Sequence, residues 1–144
     1  MKLRLVLVEP MHDVNVGSAA RACANFGVDE IILVNPQAKL GLQAKKYAKH
    51  AWPLLQKAKR VQTIAKAVRG CSLVVGTTGV VKRFGKRSVK NCVSVEELRS
   101  KISENDAVAL LFGNEGTGLS ESDLKKCDFI AFVPTSDGYS VLNL

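Results

Sequence analysis

Short apolar runs alternate along the chain with segments whose apolar residues recur at the spacing of a helix. The runs predict five buried strands, over residues 3–8, 31–34, 73–75, 107–112 and 129–133. The periodic segments predict helices over residues 15–26, 44–51, 52–59, 61–68, 95–102 and 120–126. Nearly continuous Val, Ile, Leu and Phe between amphipathic helices is typical of a parallel sheet. We therefore predict an α/β fold, a mostly parallel sheet with helices on both faces.

Capping residues support two of the predicted helices. Asp13 or Asn15 is suited to begin the first helix, and Gly27 is suited to end it. Ser94 directly precedes the helix over 95–102, and Glu97 three residues later completes a capping box. Local chemistry thus agrees with the periodicity at both places.

Ligands of an open parallel sheet bind beyond the carboxyl ends of its strands, which lead here into residues 9–15, 76–79, 113–118 and 134 onward. The glycine-rich loop 113–118 would let a ligand approach backbone amides, as in a phosphate cradle. However, the loop lacks the Lys-Ser/Thr pair of a P-loop, and its Glu115 would repel phosphate. Arg21 stands among small residues, where a structural salt bridge and a phosphate contact are both open interpretations.

The composition is that of a folded soluble domain. The chain has 144 residues, 47% hydrophobic and 24% charged, so a single domain is expected. No apolar run approaches the roughly 18 residues of a membrane-spanning helix, and the first residues lack the apolar core of a signal peptide. We expect a cytoplasmic protein without a membrane partner.

The charge distribution points to a polyanionic partner. The net charge is +8, and no Asp or Glu lies between Glu30 and Glu96, an interval with 14 of the 21 Lys and Arg residues. Solvated protein surfaces ordinarily intersperse both signs of charge. A long segment of one sign attracts phosphate backbones, so we expect nucleic acid as a partner.

The cysteines are scattered along the chain, at Cys23, Cys71, Cys92 and Cys127. None belongs to a CxxC pair, and only two histidines accompany them. Zinc sites need ligands clustered at short spacing, so we expect no metal site. Small buried residues with free thiols are the expected state of these cysteines.

Three motifs occur in order along the chain, namely NVGSAARA at 15–22, FGNEGTGL at 112–119 and YSVLNL at 139–144. Together they closely resemble the signature motifs of the SpoU (TrmH/TrmJ-like) branch of the SPOUT superfamily of RNA methyltransferases. The resemblance extends from residue 7 to residue 144. The segments LVEP at 7–10 and VGTT at 75–78 are most similar to the TrmJ-like subgroup.

The resemblance implies a SPOUT fold, in which the C-terminal part of the sheet is threaded into a trefoil knot. It further implies a homodimer that binds S-adenosylmethionine (SAM) in the knot and transfers its methyl group to a ribose 2′-hydroxyl of RNA, with tRNA as the expected substrate. The catalytic positions carried over by motif are Asn15, Arg21, Glu115, Ser140 and Asn143. The positions carried over for SAM binding are Thr77, Thr78, Gly79, Gly113, Val133, Ser140, Val141 and Leu142.

RNA binding is expected from Arg21 and from the basic segment that follows the loop 77–79. Five cations lie within nine residues there, and the four assigned to RNA are Lys82, Arg83, Lys86 and Arg87. A guanidinium stays protonated at neutral pH. We therefore interpret Arg21 as a phosphate clamp that stabilises developing negative charge, rather than as the base that removes the hydroxyl proton.

Residues 1–144 are expected to form a single SPOUT methyltransferase domain. Proteins with these motifs continue into a final helix that completes the knot, and that helix is expected after Leu144. Two other interpretations remain open from the residues. One is a knotted RNA-binding protein without catalytic activity, and the other is a nucleotide-binding α/β protein whose glycine-rich loop holds phosphates.

Overall fold

The computed structural model describes residues 1–79 and 91–134, in which seven strands form one sheet. The strands are β1 (Lys2–Val8), β2 (Glu30–Val34), β3 (Lys59–Val61), β4 (Leu73–Thr77), β5 (Cys92–Ser94), β6 (Ala107–Phe112) and β7 (Phe129–Phe132). Their order across the sheet is β3-β2-β1-β6-β4-β7-β5, and every neighbouring pair is parallel. The predicted parallel α/β architecture is confirmed.

Helices cover both faces of this sheet. They are α1 (Asp13–Asn25), α2 (Leu42–Ala48), α3 (Trp52–Gln56), α4 (Ile64–Ala67), α5 (Val95–Arg99) and α6 (Glu121–Leu124), with a 3₁₀ turn at Lys49–Ala51. Leu5 and Leu7 of β1 pack with α1, α2 and α3 on one face, whereas Val6 and Val8 pack with α4 and α6 on the other. In the described ranges, no helix has the length and apolar character needed to cross a membrane.

The sequence prediction lacks two of the seven strands, β3 and β5, and begins one helix too early. The periodicity predicts a helix over 61–68, but β3 ends at Val61 and α4 begins only at Ile64, with the Thr63 hydroxyl as its cap. The strands β3 and β5 have three residues each and lie at the two edges of the sheet. An edge strand of this length buries few side chains, so it leaves no apolar run to detect.

The start of α1 also differs from the prediction. His12 is the N-cap residue and makes no side-chain capping bond, so neither Asp13 nor Asn15 caps the helix. The Asp13 carboxylate instead accepts backbone N–H bonds from Lys39, Leu40 and Gly41, at 2.8, 3.1 and 2.7 Å. It thereby fixes the loop before α2, in which Leu40 has a left-handed φ of 57°.

Helices α1 and α2 pack unusually closely at Gly17. A Cβ atom at this position would lie 2.4 Å from the Ala44 carbonyl oxygen and 3.0 Å from the Ala48 nitrogen. Only glycine permits this approach of the two backbones.

The predicted capping box of α5 is confirmed, because Ser94 and Glu97 bond each other's backbone N–H groups.

Candidate site at the carboxyl edge of the sheet

The loops that follow β1 and β6 meet at Glu115, because these two strands are neighbours in the sheet. One Glu115 oxygen accepts the Met11 backbone N–H at 2.9 Å. The other accepts the His12 N–H at 3.1 Å and the Asn15 side-chain amide at 2.9 Å. The structure thus brings together Asn15 of the first motif and Glu115 of the second, which lie 100 residues apart in sequence.

The surroundings of Glu115 favour its ionised form. Partial burial pushes its pKa upward, but hydrogen bonds from the Met11 amide, the Asn15 side chain and the amides of Glu115 and His12 outweigh that effect. The pKa of Glu115 is therefore lowered from its ordinary value of 4.5. A carboxylate whose two oxygens are both engaged holds structure and orients Asn15, but it is poorly suited to accept a proton.

The glycine-rich loop 113–118 is held together by Asn114. Its side-chain oxygen accepts the N–H groups of Gly116 at 2.9 Å and Thr117 at 2.8 Å, and its carbonyl accepts the Gly118 N–H at 3.0 Å. A Cβ at Gly113 would lie 2.0 Å from the Gly118 carbonyl carbon, so only glycine allows the loop to close. Because these amides bond within the loop, the loop does not present the donors of a phosphate cradle.

The predicted SAM-binding residues within the described ranges lie at the ends of three neighbouring strands, β6, β4 and β7. The Thr77 hydroxyl donates to the Leu111 carbonyl at 2.9 Å, and the Thr78 N–H donates to the Ala131 carbonyl at 3.0 Å. Just beyond β7, Val133 is 51% exposed. This edge therefore combines ordered strand-end backbone with an exposed apolar side chain, and both are suited to contact an adenine ring.

Arg21 occupies a different place from Asn15 and Glu115. It is exposed on α1 and lines an open groove of about 420 Å³ together with Ser18, Asn25 and Tyr47. Six residues of helix separate it from Asn15, which corresponds to about 9 Å along the axis. Among the described residues it has no salt-bridge partner, so the structural interpretation of this arginine gains no support.

The other assigned positions lie outside the described residues. These are the catalytic and SAM-binding positions Ser140, Val141, Leu142 and Asn143 and the RNA-binding positions Lys82, Arg83, Lys86 and Arg87. The predicted trefoil knot involves the same C-terminal segment, so it also remains a prediction. Gly79, a predicted SAM-binding position in the loop directly after β4, is described and is exposed.

Three groups that build this edge are missing from the sequence prediction. The Met11 and His12 amides hold Glu115, and backbone donors leave no trace in residue type. Asp13 is predicted only as a cap, although it anchors the loop 39–41. These bonds join positions 26 to 28 residues apart, so no local pattern of residue types indicates them.

The cysteines are free thiols, as predicted, although only Cys23 is fully buried. Burial raises the pKa of Cys23 and of Cys127 to about 11, so both are protonated at neutral pH. Over residues 1–79 and 91–134, no group of three His, Cys, Asp or Glu side chains is arranged to hold a metal ion.

A parallel α/β sheet with its first two motifs joined at the carboxyl edge has the architecture of an α/β ligand-binding domain. The chain matches the SpoU rRNA Methylase family over residues 2–144, and it belongs to that family. This confirms the family predicted from the three motifs.

Two curated relatives and one solved structure show the extent of the similarity. The tRNA (cytidine-2′-O-)-methyltransferase TrmJ of Methanocaldococcus jannaschii is 34% identical, over 99% of this chain and 62% of its own length. The tRNA (cytidine/uridine-2′-O-)-methyltransferase TrmJ of Yersinia pestis (strain Pestoides F) is 38% identical, over 99% and 55%. The crystal structure of TrmJ from Z. mobilis ZM4 has a TM-score of 0.86 at 34% identity, over 99% and 63%. The chain thus spans less than two thirds of each of these relatives.

Proposed function

We propose that residues 1–144 form the methyltransferase domain of a cytoplasmic enzyme that transfers a methyl group from SAM to a ribose 2′-hydroxyl of RNA, with tRNA as the substrate. The observation that carries this proposal is the hydrogen bond between Asn15 and an ionised Glu115 at the carboxyl edge of the sheet. Family membership and the names of the TrmJ relatives support the reaction and the substrate.

The strand ends of β4, β6 and β7 are proposed to hold the methyl donor. Thr77, Thr78, Gly79 and Gly113 would contribute backbone contacts, and Val133 would contribute apolar surface, together with Ser140, Val141 and Leu142. When bound, SAM supplies a methyl carbon activated by its sulfonium centre. No metal is needed in this proposal, because the leaving group is neutral once the C–S bond has broken.

The transfer itself requires alignment more than acid–base assistance. The ribose oxygen bonds to the methyl carbon while the C–S bond breaks and its electron pair stays on sulfur. The hydroxyl proton passes to a neighbouring phosphate oxygen or to water. Because the Asn15 amide nitrogen is bonded to Glu115, its carbonyl oxygen is left to accept the hydroxyl O–H and so orient the nucleophile.

The roles of the remaining catalytic positions are also proposals. Arg21 clamps the phosphate next to the target ribose and stabilises negative charge on the oxygen. Comparison of Arg21→Lys and Arg21→Ala over a range of pH tests this role. A clamp predicts weaker RNA binding and a loss of rate that does not depend on pH, whereas unchanged RNA affinity with a strongly shifted pH profile would contradict it. Ser140 and Asn143 are assigned to the site by their motif alone.

The decisive experiment uses the full-length protein. Calorimetry measures SAM binding, and transfer of labelled methyl groups to unmodified tRNA and ribosomal RNA transcripts measures activity. Methyl transfer to tRNA that is lost in Asn15→Ala supports the proposal. RNA binding without methyl transfer would instead identify a catalytically silent RNA-binding protein. Binding of ATP or NAD with no response to SAM would identify a nucleotide-binding protein.

We also propose that the enzyme is a homodimer. Phe26 at the end of α1 is 82% exposed, and a large apolar side chain so exposed is suited to a subunit contact. Light scattering of the full-length protein is expected to give the mass of a dimer, and Phe26→Ser is expected to shift the population toward monomer. A wild-type monomer at micromolar concentration would contradict the proposal.

A further inference from the structure

The groove beside Arg21 contains residues that the proposed catalytic roles do not explain. Four residues of α1 form one wall, and Tyr47 of α2 and the residue directly after α2 form the other; the lining residues are Ser18, Arg21, Ala22, Asn25, Tyr47 and Lys49. Its volume of about 420 Å³ suits a nucleotide rather than a single ion. The wall on α1 begins one helical turn beyond Asn15.

The groove is cationic, and the described residues that line it include no acidic side chain. Arg21 and Lys49 both line it, and neither has a salt-bridge partner within residues 1–79 and 91–134. The whole interval from residue 31 to residue 95 also lacks Asp and Glu. Two uncompensated cations facing one groove create a site that attracts a phosphate group.

Tyr47 adds an aromatic surface to this site. It lines the groove and is 41% exposed. The close packing at Gly17 explains the arrangement, because a Cβ at position 17 would lie only 3.0 Å from the Tyr47 Cβ. The root of the tyrosine is therefore fixed against α1 while its side chain remains accessible from the groove.

The backbone at Lys49 is held in a strained conformation. Lys49 has φ 52° and ψ −127°, a combination that residues with a side chain rarely adopt, and its N–H bonds to the Lys45 carbonyl. This turn ends α2 and begins the 3₁₀ turn. It determines the direction in which the Lys49 side chain leaves the backbone, and so places Lys49 in the lining that it shares with Arg21.

We propose that this groove binds the nucleotide next to the methylated one, with its phosphate between Arg21 and Lys49 and its base stacked on Tyr47. The inference rests on the proposed function, because it assumes that the target ribose lies at Asn15 and Glu115. It adds two RNA-binding residues, Tyr47 and Lys49, to an enzyme whose motifs include neither. Stacking on a phenol ring accepts any base, whereas loss of the base removes the contact.

The test measures binding of an unmodified tRNA transcript to the full-length protein by fluorescence anisotropy. Tyr47→Ala is expected to weaken binding roughly 5- to 150-fold, the range for loss of one stacked base, whereas Tyr47→Phe is expected to bind like wild type. Lys49→Ser is expected to reduce the slope of log K against log salt by about 0.7. Lys66→Ser, which removes the same charge from α4 on the other face of the sheet, is the matched control and is expected to leave the slope unchanged.

Abasic sites placed singly at each unpaired position of the transcript identify the stacked base. For one abasic position, the loss of affinity for the wild-type protein is expected to equal the loss that Tyr47→Ala causes with the intact transcript. Binding of that abasic transcript to Tyr47→Ala is then expected to show no further loss. Additive losses at every position would overturn stacking on Tyr47. A shift of Tyr47→Ala to a smaller oligomer with unchanged RNA affinity would also overturn the proposal, because the groove would then be a subunit contact.

The outcomes separate this inference from the proposed function. Suppose that wild type transfers methyl groups while Tyr47→Ala and Lys49→Ser bind RNA as well as Lys66→Ser does. This result would overturn the proposed nucleotide binding in the groove and leave the proposed methyltransferase activity standing. RNA binding that depends on Tyr47 and Lys49, without methyl transfer, would support nucleotide binding in the groove and contradict the proposed methyltransferase activity. SAM affinity is expected to be the same in all of these variants.

Discussion

At the scale of single residues, Glu115 and Asn15 make different hydrogen bonds and are therefore suited to different roles. Glu115 accepts three hydrogen bonds from the loop after β1 and from Asn15, so it organises the site. The side-chain nitrogen of Asn15 is bonded to Glu115, so its side-chain oxygen is the atom left for the proposed contact with the ribose hydroxyl. Both residues could be identified from the sequence, but their contact depends on β1 and β6 being neighbours, which no local pattern reveals.

Replacement of Glu115 by Gln is expected to lower the free energy of unfolding at neutral pH by about 1–3 kcal/mol, because hydrogen bonds to a charged acceptor are lost. The folded-state pKa of Glu115 lies below its ordinary value of 4.5, so its contribution is present above that pH and is lost as the pH falls through the folded pKa. Urea unfolding of both proteins from neutral pH to about pH 3 should therefore show the difference narrowing. Exposed Glu104 provides the control, since Glu104→Gln should change the free energy of unfolding far less at neutral pH.

Replacement of Gly17 by Ala tests the close packing of α1 on α2. The added methyl group would lie 2.4 Å from the Ala44 carbonyl oxygen, so the helices must separate. We expect a loss of about 1–3 kcal/mol in the free energy of unfolding, measured by chemical denaturation. At Gly116 an added Cβ would meet only the Asn114 side-chain oxygen, at 3.5 Å, so Gly116→Ala should change stability far less. Equal effects of the two substitutions would contradict the packing argument.

At the scale of elements, the sequence predicts buried strands well and edge strands poorly. The strand over 107–112 has the bounds that the structure shows, because both of its faces are covered and its apolar run is continuous. In β3, by contrast, Lys59 and Arg60 are exposed, and part of its attachment comes from a 2.6 Å ion pair between Lys59 and Glu30. Glu30 also pairs with Arg4 at 2.7 Å, so one carboxylate connects β1, β2 and β3. Such long-range pairs cannot be read from a local pattern.

Asp13 of α1 holds the loop 39–41, which leads into α2. Asp13→Asn removes the charge and one of the oxygens that accept the N–H groups of Lys39, Leu40 and Gly41. We expect a loss of about 2 kcal/mol in the free energy of unfolding, together with faster hydrogen exchange at the Leu40 and Gly41 amides. Asp29 accepts a 2.8 Å bond from the Leu3 amide, so Asp29→Asn is the control and should cost less. Unchanged exchange in Asp13→Asn would show that the loop is held by other contacts.

At the scale of the whole molecule, the fold class and family follow from the sequence, whereas the order of the strands does not. The apolar run of β1 identifies a strand buried on both faces but not its neighbours, β2 and β6. The edge at which Asn15 and Glu115 meet could be predicted, because the described strands are all parallel and their carboxyl ends lie together. The sequence offers two places for the proposed RNA contact, since basic residues occur both in the segment 82–90 and in the interval from Lys39 to Arg60.

The salt dependence of RNA affinity distinguishes these two basic regions. Each phosphate contact contributes about −0.7 to −0.9 to the slope of log K against log salt. If the segment after the loop 77–79 contacts RNA, replacing its four cations by Ser should weaken binding, flatten the slope and leave SAM affinity unchanged; these cations are Lys82, Arg83, Lys86 and Arg87. A variant with the same loss of charge in the other region is the matched control, in which Ser replaces Lys39, Lys45, Lys46 and Lys57. An unaltered slope in the first variant and a flattened slope in the second would show that RNA is held by the interval from Lys39 to Arg60, because the slope counts the phosphates that a region neutralises.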